Sequence, residues 1–416
     1  MRIEGFRSRR TDRGTRTEAV LSWEDAPRPP IEIFFEVVGP AAEEAADPNA
    51  FVAAAVVPAI FNGERRISVE GSVCPRLRDG VAAAAGLFRS WYGSPYPPPA
   101  VEPDAGFVPP RAPARRMGGV FASGGIDSSF SIGRNRRDLP PAHPRSFRRA
   151  IRVRDMTFPF DAPPERKSYI ETRSARAVAL IAAAADLEVR EIATNAMAIE
   201  ADFDTFTRWT HGAALVAAGL AAGGGLTDLT IGASHDVRSG VRSWGSHPIL
   251  DPLFGTASID VHHDGIETTR LEKTAAIARW PAALEALYVC TGGPHEGTAL
   301  NCGACEKCVR TRVALLLAGV DRPPSFPCGR VRAEDIDALP PIPSSPRLSY
   351  YWWELMDVLR ASGRSDIRDA IGRMIERQRR ADAWTGDRGW KGALRRVDRK
   401  VLGGALLKAR RRWAPR

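Results

Sequence analysis

The sequence predicts an α/β protein: an open, mostly parallel sheet with helices on both faces, flanked by an N-terminal α+β region and a C-terminal helical segment. Three observations lead there. From residue 118 onward, short apolar runs alternate with helix-length periodic segments, the pattern of a doubly covered sheet. The first of those runs stops in a group of glycines and serines that opens a helix. Upstream, residues 93–114 hold a dense group of prolines around few hydrophobics, which marks a boundary.

In chain order, residues 31–38 (IEIFFEVV) and 66–69 (RISV) read as strands, and 79–91 as an amphipathic helix. Past the proline-rich boundary, 118–122 (GGVFA) and 149–153 are strand candidates. Residues 173–186 (RSARAVALIAAAAD) read as a helix, 189–194 as a strand, 211–222 as a second helix and 226–232 (LTDLTIG) as a further strand. From about 346 the pattern is helical and increasingly charged. The expected organisation is an accessory domain over 1–112, a central domain over 113–330 and a basic helical segment over 331–416.

Composition narrows the class. Of the 416 residues, 44% are hydrophobic, which excludes general disorder. No apolar run approaches the roughly 18–20 residues that a spanning helix needs. The first residues lack the apolar core of a secretory signal, so a cytoplasmic location is expected. The formal charge is +10, but it is unevenly placed. Residues 360–416 carry 18 Lys/Arg against 6 Asp/Glu, which leaves the body near −2. A uniformly basic nucleic-acid binder is thereby excluded.

Residues 120–130 (VFASGGIDSSF) place small residues between a buried strand and a helix. Gly124 and Gly125 let backbone amides approach a polyanion, while Ser123, Ser128 and Ser129 add hydroxyls. The helix that follows turns its positive end to the same point. Asp127 suits the Mg²⁺ that accompanies phosphates better than phosphate itself. Neither the Walker GxxxxGK[ST] pattern nor a Rossmann GxGxxG is present here. SGGIDSS matches SGGxDS, so the segment resembles the PP-loop ATP pyrophosphatases. The resemblance implies the adenine nucleotide alpha hydrolase-like (HUP) fold. It also implies ATP over the C-terminal edge of the sheet, with pyrophosphate cradled by residues 123–128 and Ile126, Ser129 and the glycines part of the same loop.

Cys290, Cys302, Cys305 and Cys308 fall within 19 positions as C-x11-C-x2-C-x2-C. Four soft ligands at this spacing predict a closed, structural Zn²⁺ site; an iron–sulfur cluster takes the same set. Gly303 permits the turn between two of them. Cys74 and Cys328 lie outside the group, and His295 lies inside the long interval. Within the PP-loop enzymes, this cysteine pattern resembles 7-cyano-7-deazaguanine synthase and its relatives, in which the cysteines hold zinc. The likeness spans about residues 117–320. It departs where that family tends to read CxxR, since Thr311 stands there between Arg310 and Arg312.

Three further regions supply candidates. Residues 245–252 (GSHPILDP) form a polar turn after the last clear strand, which makes His247 and Asp251 candidates for substrate contact. His211 opens a helix and reads as a capping or core residue. Residues 269–273 (TRLEK) begin a helix with Arg270 and Lys273 on one face. The PP-loop likeness implies a late basic residue that neutralises departing pyrophosphate, and Lys273, then Arg270, fit that role. In the tail, Trp390, Leu394, Val397, Val401 and Ala405 recur at helical spacing amid arginines. That stripe suits docking on the body, RNA phosphates or an anionic membrane surface.

The resulting expectation is an ATP-dependent adenylating enzyme that releases pyrophosphate. It would activate a carboxylate or carbonyl oxygen of a small-molecule or modified-base substrate for attack by an amine or ammonia. Sulfur transfer to RNA is the alternative chemistry, and a nucleotide-binding regulatory module without turnover is the alternative class. ATP, Mg²⁺ and Zn²⁺ are the expected cofactors, and a homodimer is a possible assembly.

Overall fold

The computed structural model describes residues 1–39, 47–93, 95–111, 113, 116–154, 156, 162–200, 202–238, 243–295, 297–340 and 346–385. The amphipathic stripe from Trp390 to Ala405 lies outside the described residues.

Three strands open the chain: β1 (Arg2–Arg10), β2 (Gly14–Ser22) and β3 (Ile31–Val38). They are followed by α1 (Pro48–Phe61), β4 (Arg66–Val69), α2 (Pro75–Tyr92) and β5 (Ala100–Pro103). The alternating part comprises β6 (Gly118–Phe121), α3 (Ile126–Asp138), β7 (Phe147–Val153), α4 (Pro164–Ala184) and β8 (Glu188–Thr194). A short helical turn, α5 (Phe203–Thr205), continues through a π-type turn into α6 (His211–Ala221), and β9 (Asp228–Gly232) and β10 (Asp260–Asp264) complete the strands. Then come α7 (Arg270–Ala278), α8 (Pro281–Ala286), α9 (Glu306–Leu317), α10 (Ala333–Asp337), α11 (Pro346–Ala361) and α12 (Ser365–Thr385).

All ten strands join one open sheet in the order β10-β9-β6-β7-β8-β3-β2-β1-β4-β5. The five strands from β10 to β8 are mutually parallel. At the junction β3 runs antiparallel to β8, with Phe35 opposite Thr194 and Val38 opposite Glu191. Residues 1–112 therefore extend the central sheet. A single apolar core also crosses the junction, because Phe35 and Phe51 share it with Ile151, Leu229 and Phe254. Gly80 in α2 packs so closely on the Leu253 carbonyl that a Cβ would sit 1.8 Å from its oxygen.

Strand alternation explains why helices cover both faces. Phe121 and Ile151 point into the core shared with α1 and α6, whereas Val120, Ala122 and Ala150 face the core formed with α3, α4 and α8. A third core forms where α10, α11 and α12 pack on α9, through Val309, Val313, Trp352, Leu355 and Ile371. No helix among the described residues is long and apolar enough to cross a membrane.

Candidate active site

The site forms where β6 ends. Gly124 adopts φ +76°, a left-handed conformation that a side chain strains, and a Cβ there would come within 2.5 Å of the Ala177 Cβ. The Gly124 carbonyl accepts from the Tyr288 amide at 2.8 Å, which ties the turn to the chain leading into the cysteines. Gly125 caps α3, and the first helical bond runs from the Ser129 amide to the Gly125 carbonyl (3.0 Å). The amides of Ile126, Asp127 and Ser128 consequently have no partner inside the helix. Ser128 Oγ donates to the Gly125 carbonyl (3.2 Å) and accepts from the Ser123 amide (3.4 Å), while Ser123 Oγ accepts from the Gly125 amide (3.3 Å). These hydroxyls hold the loop's shape.

Arg270 and Lys273 arrive from α7. A capping box between Thr269 and Glu272 starts that helix and fixes the phase that turns both cations toward the loop. Arg270 pairs with Asp127 Oδ2 at 3.0 Å, and Lys273 Nζ lies 3.9 Å from Asp127 Oδ1. Lys273 is 2% exposed and donates to the Ala233 carbonyl at 2.6 Å. Burial holds its ammonium below the ordinary lysine value, with Asp127 pulling the other way and Arg270 reinforcing the shift. Asp127 Oδ1 is buried without a hydrogen-bond partner among the described residues, as is the Tyr288 hydroxyl. Gly232 at the end of β9 permits this packing, since a Cβ there would lie 2.9 Å from the Asp127 backbone.

Two cavities meet at the loop. The larger, about 620 Å³, is lined by Ser123, Gly125, Ile126 and Asp127 on one side and by Arg166, Arg270, Lys307, Arg310, Tyr288 and Tyr351 on the others. Its wall is strongly cationic. The smaller, about 260 Å³, is bounded by the C-terminal ends of three parallel strands through Phe121, Ile151, Val153 and Ile231. Ser123, Asp127, His211, Ser234 and Trp244 line both. This is the strand C-terminal edge, where open α/β sheets place ligands.

The cysteines form one cluster. Sγ atoms of Cys290, Cys302, Cys305 and Cys308 all lie within 4.8 Å of one another. Cys302 and Cys308 sulfurs are 3.8 Å apart. A tetrahedron with metal–sulfur bonds of about 2.3 Å has edges of about 3.8 Å, so the donor set fits Zn²⁺. Gly303, with φ +78°, turns the chain between Cys302 and Cys305, and Cys328 packs beneath that glycine. Contact with the neighbouring thiols, first Cys290, lowers the Cys302 thiol from its ordinary value. His295 stands apart from the cluster and contacts Tyr169 Oη.

Some expected residues fall elsewhere. Asp251 is fully buried and accepts from the His247 amide (3.1 Å), Ser246 Oγ (2.7 Å) and, on its Oδ2, His263 Nδ1 (2.9 Å). His247 is 3% exposed, rests 4.7 Å from the Trp91 ring and accepts from the Ile249 amide (3.1 Å). Neither lines the two cavities. From this stretch Ser246 and Trp244 line a cavity instead, while the aspartate is consumed in holding the turn together. Ser129 is likewise fully buried and lines neither cavity. His211, read as a capping or core residue, lines both. Arg166, Lys307, Arg310, Tyr288 and Tyr351 were not expected in this role. Only Arg310 had a signal, its place beside Thr311 after the last cysteine.

The fold and site define an α/β chain with a glycine–serine loop, a cationic cavity and a four-cysteine cluster at the C-terminal edge of its parallel strands. No family model, curated protein or solved structure matches it.

Proposed function

We propose that the chain is a PP-loop-type adenylating enzyme of HUP-like fold that cleaves ATP to AMP and pyrophosphate. The carrying observation is the start of α3 at Ile126–Ser128, whose amides have no partner inside the helix, beside Arg270 and Lys273 held on Asp127. In this reading the apolar 260 Å³ cavity takes the adenosine and the cationic 620 Å³ cavity takes the phosphates and the acceptor. A carboxylate or carbonyl oxygen of the acceptor bonds to the α-phosphorus as the bond to the bridging oxygen of pyrophosphate breaks. An amine or ammonia then displaces AMP.

The protein's part is positioning and charge neutralisation, with no covalent nucleophile. Loop amides and Arg270 neutralise the negative charge that grows on the leaving pyrophosphate, and Lys273, which lines neither cavity, adds its charge through Asp127. Arg270 orients the Asp127 carboxylate. Asp127 Oδ1, buried and without a hydrogen bond among the described residues, is the atom that would hold Mg²⁺, which would supply charge withdrawal from the phosphates. The four cysteines would hold Zn²⁺ and thereby fix the start of α9. Sulfur transfer would require one of those thiolates to leave the cluster, which ranks it second.

Pyrophosphate release from ATP, measured across carboxylates, amides and amines, tests this reading. Release that depends on one acceptor class is expected. ATP binding without release under any condition would overturn it in favour of a regulatory nucleotide-binding module. Metal analysis should give one zinc per chain; iron with acid-labile sulfide would assign a cluster instead.

A further inference from the structure

Of the C-terminal helices, α11 reaches the larger cavity through Tyr351. Tyr351 of α11 is 8% exposed, and two arginines from different elements lie over its ring. The Arg270 guanidinium carbon lies 5.2 Å from its ring centroid and that of Arg310 lies 4.7 Å away. The Tyr351 hydroxyl donates to the Ser234 carbonyl at 2.6 Å, which pins the ring to the loop leaving β9. Neighbouring residues of the same helix brace both arginine-bearing helices. The Leu271 amide donates to Glu354 at 3.2 Å. Trp352 Nε1 donates at 3.0 Å to Glu306 Oε1, which also accepts from Arg310 Nε at 2.6 Å.

Two like charges in one cavity repel, and an aromatic ring that both guanidinium groups contact attracts both. A rigid aromatic spacer thus lets the guanidinium groups share one site at a fixed separation. We propose that Tyr351 is a positioning residue that spaces Arg270 and Arg310 as a two-pronged clamp for the pyrophosphate moiety, which makes α11 part of the nucleotide site. The inference rests on the adenylating reading for its ligand, but the clamp itself is defined by three side chains lining the same cavity wall.

Binding of inorganic pyrophosphate to the full chain, by calorimetry, tests the clamp without turnover. Tyr351→Leu keeps apolar bulk and removes the π-face, whereas Tyr351→Phe keeps the ring. The expected result is affinity at least about tenfold weaker for Tyr351→Leu and for Arg310→Ala, and within about threefold of wild type for Tyr351→Phe. Adenosine binding, seated in the other cavity, should be unchanged in all three. Pyrophosphate affinity unchanged in Tyr351→Leu or Arg310→Ala would overturn the clamp. So would a Tyr351→Leu loss shared equally by adenosine, because that is general collapse. Should wild type bind pyrophosphate in this clamp-dependent way yet never release it from ATP, the clamp stands and the adenylating reading fails.

Discussion

Two loops at the same edge of the sheet are built from similar residues and end differently. The turn at Gly245–Asp251 and the loop at Ser123–Ser128 each combine glycine, serine and one aspartate. In the first, both Asp251 oxygens are bonded, to the His247 amide, Ser246 and His263, and the His247 ring accepts an amide. In the second, Asp127 keeps a buried oxygen without a hydrogen bond among the described residues, and Ile126, Asp127 and Ser128 at the helix start each line a cavity. Buried polar groups are ordinarily paired, so a cluster left unpaired beside a cavity marks where a ligand supplies the missing partners. A cluster that satisfies itself marks structure. The chemistry of the side chains is the same; the count of satisfied atoms separates them.

Substitutions can break this contrast. Lys273→Met should lower the rate of pyrophosphate release about 10²–10³-fold, as for loss of one charge-stabilising donor, while the melting temperature shifts only a few degrees. Asp251→Ala should do the reverse. Removing a fully buried acceptor used by three donors should cost about 2–4 kcal/mol in denaturant titration with ATP affinity retained. If Asp251→Ala removed ATP binding at unchanged stability, the two loops would have been told apart wrongly.

Gly124→Ala comes next. A side chain at φ +76° costs about 1–2 kcal/mol and also meets Ala177, so both stability and ATP affinity should fall together. The pH dependence sharpens the cation's role. Burial lowers Lys273, so its charge is lost as pH rises through a value under 10.5, and pyrophosphate affinity should fall there. Folding stability should move oppositely, since in that window the unfolded chain binds the extra proton and stability rises with pH. Lys273→Arg should shift the loss of affinity to higher pH. Ser129→Ala gives the smallest effect. Its Oγ is buried, has no partner among the described residues and lines neither cavity, so stability should change by about 1 kcal/mol or less and ATP affinity not at all.

Much of the central sheet was legible. Residues 149–153 fall within β7, 189–194 within β8 and 226–232 around β9, because buried parallel strands bring apolar runs. β1 was not legible. Its nine residues bury only Ile3, and a strand that exposes nearly every side chain carries no periodic apolar signal. The proline-rich stretch marks a crossover, yet the sheet does not stop there. The β3–β8 pairing joins residues about 160 apart in the chain, and no local composition encodes such a register.

The sequence by itself determined the loop and the cysteine turn. Their geometry resides in contiguous residues: glycines at positive φ, a helix start just after a buried strand, and CxxC spacing across Gly303. Tertiary structure alone decided what faces them. Arg270 comes from α7, Arg310 from α9, Tyr288 from the chain before the cysteines and Tyr351 from α11, and they meet at the cavity only because three helices pack on one another, while Lys273 of α7 reaches Asp127 behind it. It also turned His247 and Asp251 inward. Backbone conformation is set by near neighbours, whereas burial and the facing of charges follow from packing between distant segments.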